Sequence, residues 1–124
     1  MLGGVVNWIE LPSSDLEQSC EFYSRVFGWR ITRHESWPDF PMWADSKGEV
    51  GGAFRTGLKP MTEAGVLMHI SVDTIENALA AIEAAGGKRL HGKEFISDDI
   101  GWWATFCDPT GNVLGLFEPA KKQG

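Results

Sequence analysis

Cysteine, tyrosine and clustered positive charge are what this chain has least of. Its 124 residues include 2 cysteines and 1 tyrosine. Cys20 and Cys107 stand far apart, with none of the short spacings of a metal knuckle or a redox pair. That excludes a disulfide framework, and the two thiols read as reduced, in a cytosolic protein. The 11 basic residues are outnumbered by 17 acidic ones, giving a net charge of -6, and they are scattered along the chain. Without a positive stripe, neither a nucleic-acid binder nor a protein of anionic membrane surfaces is expected. No apolar run approaches the roughly 18 residues of a membrane span. The opening MLGGVVNWIELP has no basic stretch ahead of its apolar residues and soon meets Glu10. It reads as a first strand rather than a signal peptide.

What is present suits one compact domain over residues 1–119, with a polar tail at 120–124 that is expected to fray. A chain of this length can bury about two thirds of its unfolded surface, and 43% apolar residues supply the core. The first strand spans about residues 4–11. Ser14-Asp15-Leu16-Glu17 then reads as a capping box, and Leu16, Cys20, Tyr23 and Phe27 recur on one helical face until Gly28. Strands follow near 29–34, 42–45 and 49–55. The second half repeats the order. Leu67–Val72 is a strand, and Asp73-Thr74-Ile75-Glu76 repeats the cap signal. Ile75, Ala78, Leu79 and Ile82 form a helical stripe that ends at Gly86-Gly87, and strands are expected near 88–91, 102–107 and 112–118.

Each half thus reads strand, helix and three strands, over about 4–56 and 65–118. The letters agree. Gly48-Glu49-Val50-Gly51-Gly52-Ala53-Phe54 and Gly111-Asn112-Val113-Leu114-Gly115-Leu116-Phe117 share G-x-V-x-G-x-F at an offset of 63 residues. The caps at Asp15 and Asp73 are offset by 58. Two similar offsets in the same element order point to a duplicated unit.

Asp15-Leu16-Glu17, Phe22-Tyr23 and Phe27-Gly28-Trp29 are followed by His69-Ile70-Ser71-Val72-Asp73, Ala84-Ala85-Gly86-Gly87 and Asp108-Pro109-Thr110-Gly111-Asn112. In that order they resemble the vicinal-oxygen-chelate superfamily, which holds glyoxalase I, bleomycin-resistance proteins and extradiol dioxygenases. The resemblance runs from about residue 5 to 118. It implies an α+β fold of two βαβββ modules forming a cup-shaped eight-stranded sheet with helices outside. It also implies a homodimer, with the cup built within one chain or across two.

The superfamily holds a metal by one residue on the first strand and one on the last strand of each module. Counting from the helix caps and hairpin glycines places these positions at Trp8, Gly52, Leu67 and Gly115. None carries an imidazole, carboxylate or thiolate donor, so no metal and no cofactor is expected there. Strand alternation then lines the cup with Val6, Trp8 and Glu10, with Leu67, His69 and Ser71, with Val50, Gly52 and Phe54, and with Val113, Gly115 and Phe117. The expected ligand-binding set is Trp8, Glu10, Gly52, Phe54, Leu67, His69, Gly115 and Phe117. Glu10 and His69, the polar pair among them, are the candidate acid and base. They equally suit a binding or space-filling role, or a shifted and incomplete metal site with His34 or His91. The aromatic loop Glu35–Trp43 reads as a lid, a pocket wall or a dimer contact, and one ring of Trp102-Trp103 faces the cup. The pattern points first to a metal-free protein that binds an aromatic or partly apolar small molecule. The alternative is an enzyme: a metal-independent acid–base isomerase or lyase, or else a metal-dependent lyase or dioxygenase.

Overall fold

The structure is a computed structural model that describes residues 2–62 and 65–121, so most of the tail at 120–124 lies outside the described residues. The chain forms two compact units, one running to Pro60 and the other beginning at Met61. The break falls in the segment between the two expected modules. Each unit is a βαβββ module. The first contains β1 (Ile9–Pro12), α1 (Leu16–Phe27), β2 (Arg30–His34), β3 (Trp37–Ala44) and β4 (Gly51–Arg55). The second contains β5 (His69–Ser71), α2 (Ile75–Ala84), β6 (Lys88–Ser97), β7 (Gly101–Cys107) and β8 (Val113–Pro119). Their strand orders match: β1-β4-β3-β2 and β5-β8-β7-β6. In each, the first and last strands run parallel and the other pairs antiparallel. No helix among the described residues is long and apolar enough to cross a membrane.

Local chemistry sets the helix ends. Asp15, rather than Ser14, caps α1, its side chain accepting from the Gln18 N–H at 3.1 Å. Ser13 steadies that cap by accepting from the Asp15 N–H at 3.2 Å and bonding the Ser19 hydroxyl at 2.6 Å. Gly28 ends the helix at φ 69, a left-handed conformation that only glycine adopts without strain. In α2 the cap residue is Thr74, and its side chain makes no capping bond. A distant residue does the work instead: the Ile75 N–H donates to Glu118 Oε1, on β8, at 2.8 Å.

The core of module one is aromatic. Trp29 stacks on Tyr23 at 4.6 Å and on Trp43 at 4.1 Å, and Phe54 lies 5.5 Å from Tyr23. The Trp43 indole N–H finds the Ala53 carbonyl at 3.2 Å, which satisfies the polar end of a buried ring. Module two packs aliphatic residues instead. Ile75, Leu79 and Ile82 of α2 are fully buried with Ala104, Phe106, Leu114 and Leu116 of the sheet.

Four element boundaries differ from those the sequence suggests, one of them the end of β6, which runs to Ser97 instead of stopping near residue 91. β1 starts at Ile9, not at residue 4, and Val5 and Val6 ahead of it are exposed. β5 covers only three residues of the expected 67–72. The stretch read as an aromatic loop is mostly β3, which begins at Trp37 and places Trp43 in the core.

The letter repeat also proves one residue out of phase with the fold. Both hairpin turns begin at an aspartate and hold a glycine in the left-handed region, Gly48 at φ 73 and Gly111 at φ 100. The Asp45 N–H, however, pairs with the carbonyl of Val50, whereas the Asp108 N–H pairs with that of Asn112. The first turn is therefore one residue longer. Gly48 and Gly111 correspond, but after them Ala53, not Gly52, is the counterpart of Gly115, and Phe54 corresponds to Leu116. A one-residue slip exchanges the two faces of a strand.

Both turns are held by their aspartate. Asp108 accepts from the Thr110 and Asn112 N–H groups at 3.0 and 2.9 Å, and Asn112 reaches back to accept from the Met61 N–H at 2.9 Å. Asp45 accepts from the Lys47, Glu49 and Val50 N–H groups at 3.0–3.1 Å. Partial burial disfavours the Asp45 carboxylate, but these backbone donors outweigh it and hold the group below the usual carboxylate range. A depressed folded value means the stabilisation is present above the unfolded pKa and is lost as pH falls through the folded one. Thermal melts from pH 7 down to pH 2 should show this as an acid-side loss of stability that shrinks in Asp45→Asn.

Candidate functional site

Each sheet has one face against its helix and one face away from it. The latter is the face open to functional side chains. In module two the register aligns His69, Gly115, Thr105 and His91 in one row across β5, β8, β7 and β6. Ser71, Phe117, Trp103 and Glu94 form the next row in the same direction. Leu114 and Leu116, the intervening residues of β8, are fully buried on the helix side. The parity expected for Val113, Gly115, Phe117, His69 and Ser71 therefore holds, and Trp103 is the ring of its pair on this face.

A Cβ built on Gly115 would overlap the ring of His69. The imidazole lies across the glycine in the space a side chain would fill, with Nδ1 3.3 Å from the Leu67 carbonyl oxygen. Leu67 is half-buried and precedes β5. At the far edge, the His91 ring stacks on Trp103 at 4.4 Å with only 4° between planes, and its Nε2 meets Glu94 at 2.6 Å. His34 serves a different end: its Nδ1 accepts from the Ser36 N–H at 3.1 Å in the turn between β2 and β3.

Module one requires a correction. Gly52 and Phe54, expected to line a pocket, share the helix side. Phe54 is fully buried beside Tyr23, and a Cβ on Gly52 would strike the Ile9 backbone. Val50 lies in the turn before β4. The face away from α1 instead carries the row Glu10, Ala53, Met42 and Thr32, with Arg55 two residues beyond Ala53. Glu10 accepts from Arg55 Nη1 at 3.2 Å. Val6 and Trp8 precede β1 and are exposed. Glu10 and His69 are equivalent, each five residues ahead of its helix cap at Asp15 or Thr74 and each aligned with a small residue of the last strand.

The positions implied as metal ligands thus carry Trp8, Ala53, Leu67 and Gly115. Their side chains hold no donor a divalent cation would accept. Within either module, no three His, Cys, Asp or Glu residues among those described gather as a candidate ion site. This residue set does not fit a resident metal. Burial pushes the thiols of both Cys20 and Cys107 up, the reverse of what a reactive nucleophile needs.

A hollow of about 280 Å³ opens on module one, lined by Trp37, Phe40 and Met42. Sequence reasoning had these residues only as part of a loop of undecided role. It missed Ala53, Arg55, Thr105 and Glu94, and had His91 only as a donor for a shifted metal site. The register of β4 had no signal in the sequence, because both turns place glycine three residues after aspartate and differ only in where the turn closes.

Paired βαβββ modules of this strand order define the vicinal-oxygen-chelate class of α+β proteins. The glyoxalase-like domain model matches residues 8–117, and the chain belongs to that family. A glyoxylase-like domain-containing protein of Didymella fabae is 24% identical over 123 residues, covering 94% of both chains. A putative glyoxylase of Mycobacterium bovis is likewise 24% identical over 98% of this chain, which spans only 48% of that relative. Among solved structures, TnmS3, an antibiotic binding protein from Streptomyces sp. CB03234, aligns with a TM-score of 0.74 at 21% identity, covering 97% of this chain and 99% of its own. A fosfomycin resistance protein of Listeria monocytogenes, crystallised with Mn(II), aligns at 0.72 and 16% identity, covering 97% and 93%. At such identities the likeness is one of fold.

Proposed function

We propose that this chain is a metal-independent binding protein for aromatic or partly apolar small molecules, working as a cytosolic homodimer. The observation that carries the reading is the residue pair Ala53 and Gly115. These are the equivalent last-strand positions of the two modules, and a methyl group and a bare backbone stand there in place of carboxylates. Around Ala53 the face of module one offers Met42 and Glu10, and around Gly115 the face of module two offers Phe117 and Trp103 with His69 and Thr105. An apolar surface with few converging polar groups is the usual form of a small-molecule site. The antibiotic-binding role of the Streptomyces neighbour agrees with this reading. Dimerisation and cytosolic placement rest on the superfamily resemblance and on the free thiols.

The second reading is a metal-independent enzyme in which Glu10 and His69 exchange a proton with the substrate. Their equivalent placement on the two modules favours it. Against it, Arg55 already holds one oxygen of Glu10, which suits a fixed anion better than a base.

Calorimetry on EDTA-stripped protein decides between metal and no metal. Ni²⁺, Zn²⁺ and Fe²⁺ are expected to give no stoichiometric binding, and tight binding lost in His69→Ala would sink the reading. Bleomycin and 2-naphthol, titrated against tryptophan fluorescence, are expected to bind without turnover. Turnover of the methylglyoxal–glutathione hemithioacetal that disappears in Glu10→Gln, with affinity retained, would make the protein an enzyme.

A further inference from the structure

The hollow on module one has a cause in the chain. Thr32 of β2 aligns with Met42 of β3, and His34 aligns with Trp37. Between these pairs β2 has one residue, Arg33, while β3 has the four residues of Pro38-Asp39-Phe40-Pro41. Three residues of slack must leave the ladder. Pro38 and Pro41 keep them out of it, because proline donates no ladder hydrogen bond and holds φ near one value. The slack therefore has a stiff, defined shape, and Phe40 within it and Trp37 and Met42 at its ends line the hollow.

We propose that this hollow is a binding pocket for a flat apolar ring, the aromatic end of the small molecule the protein binds. The proposal rests on the binding reading above and says where the ring goes. All three lining side chains are apolar, so nothing in the wall would satisfy a buried polar group of the ligand. Two aromatic rings and a thioether favour a planar ring, which gains ring-on-ring and sulfur–aromatic contact that a puckered ring makes less well. At about 280 Å³ the space lies at the lower end of small-molecule sites and suits one or two fused rings. A hollow of this size admits one ring system, whereas a stable protein interface draws on roughly 800 Å² per partner. Trp37 is 65% exposed, so its ring is accessible to a ligand from solvent.

The test is calorimetric titration with 2-naphthol and with its saturated counterpart decahydro-2-naphthol. Wild-type protein should bind 2-naphthol at least fivefold more tightly than the saturated alcohol. Trp37→Ala should weaken 2-naphthol at least tenfold, as should Phe40→Ala, while Phe95→Ala on module two changes nothing. Trp37 is exposed, so its replacement leaves the fold intact, and circular dichroism verifies this. Binding that survives both Trp37→Ala and Phe40→Ala overturns the pocket but leaves the binding function standing. Equal affinity for the flat and puckered alcohols overturns the ring preference. No binding of 2-naphthol to wild-type protein removes the pocket, and failure of bleomycin as well removes the function with it.

Discussion

Gly52→Ala is expected to cost about 3 kcal/mol or more of stability, the upper range for a single methyl group forced into a packed interior. The new Cβ would meet the carbonyl oxygen, carbonyl carbon and nitrogen of Ile9, all backbone atoms of the neighbouring parallel strand. Side chains can rotate away from an intruder, but a paired strand cannot yield without losing its hydrogen bonds. Because β1 contributes only four residues, a local shift would loosen the whole β1–β4 pairing. Urea denaturation followed by far-ultraviolet circular dichroism measures the effect. The same experiment decides between two positions for this residue. A Gly52 that opened onto a ligand pocket would accept alanine at little cost, and a loss below about 0.5 kcal/mol would place it there. Gly115→Ala is the informative companion. Its neighbour is the ring of His69, an exposed side chain that can swing about χ1, so the stability cost is expected to be smaller while the imidazole is displaced.

Glu118→Ala is expected to cost about 3 kcal/mol, since it removes a buried carboxylate with two partners. Its Oε1 accepts from the Ile75 N–H at 2.8 Å, and its Oε2 meets Lys93 Nζ at 3.3 Å. The side chain is only 6% exposed, so water cannot replace either bond readily. Lys93 itself is 27% exposed, also reaches Glu76 at 2.9 Å, and lies 4.6 Å over the Trp102 ring. Removing Glu118 leaves the first turn of α2 without an acceptor, because Thr74 supplies none. Glu118→Gln keeps an oxygen for the Ile75 N–H and gives up the charge, so about half the loss is expected to return. Denaturation midpoints in urea at pH 7 measure both variants. Equal losses in the two would assign the effect to the Lys93 pairing, and no loss in either would show that α2 needs no cap from the sheet.

The element order was legible because it rests on short-range chemistry. The stripes of Leu16, Cys20, Tyr23 and Phe27, and of Ile75, Ala78, Leu79 and Ile82, follow helical spacing, and all are buried except Leu16, Phe27 and Ala78, which are half-buried. Gly28 sits in the left-handed region that a helix terminator needs. Asp108 and Gly111 build a turn whose hydrogen bonds lie within five residues of chain. The faces of module two followed from the same reasoning, since alternation along β8 starts from a turn of the expected length. Such features need no knowledge of what lies across the sheet.

Other features depended on partners far away in sequence. The phase of β4 hung on whether Asp45 closes its turn at Val50 or one residue earlier, and that single residue moved Gly52 and Phe54 from a presumed pocket wall into the core. Nothing in the letters G-x-V-x-G-x-F marks the difference. The cap of α2 comes from Glu118, 43 residues beyond the N–H it serves, so the local cap signal at Asp73 and Thr74 was misleading. The loop at 35–43 became a strand because Trp37, Met42 and Trp43 pair with the neighbouring strands, while Pro38 and Pro41 fall between the paired residues. Sequence by itself determined the duplicated βαβββ plan, the helix stripes, and the absence of ligand side chains at Trp8, Leu67 and Gly115. Only the tertiary structure decided which face each side chain of β4 shows and that His69 lies over Gly115. It also decided that Trp37, Phe40 and Met42 share one hollow. Periodicity is written along the chain, whereas register is set by the strand on the other side.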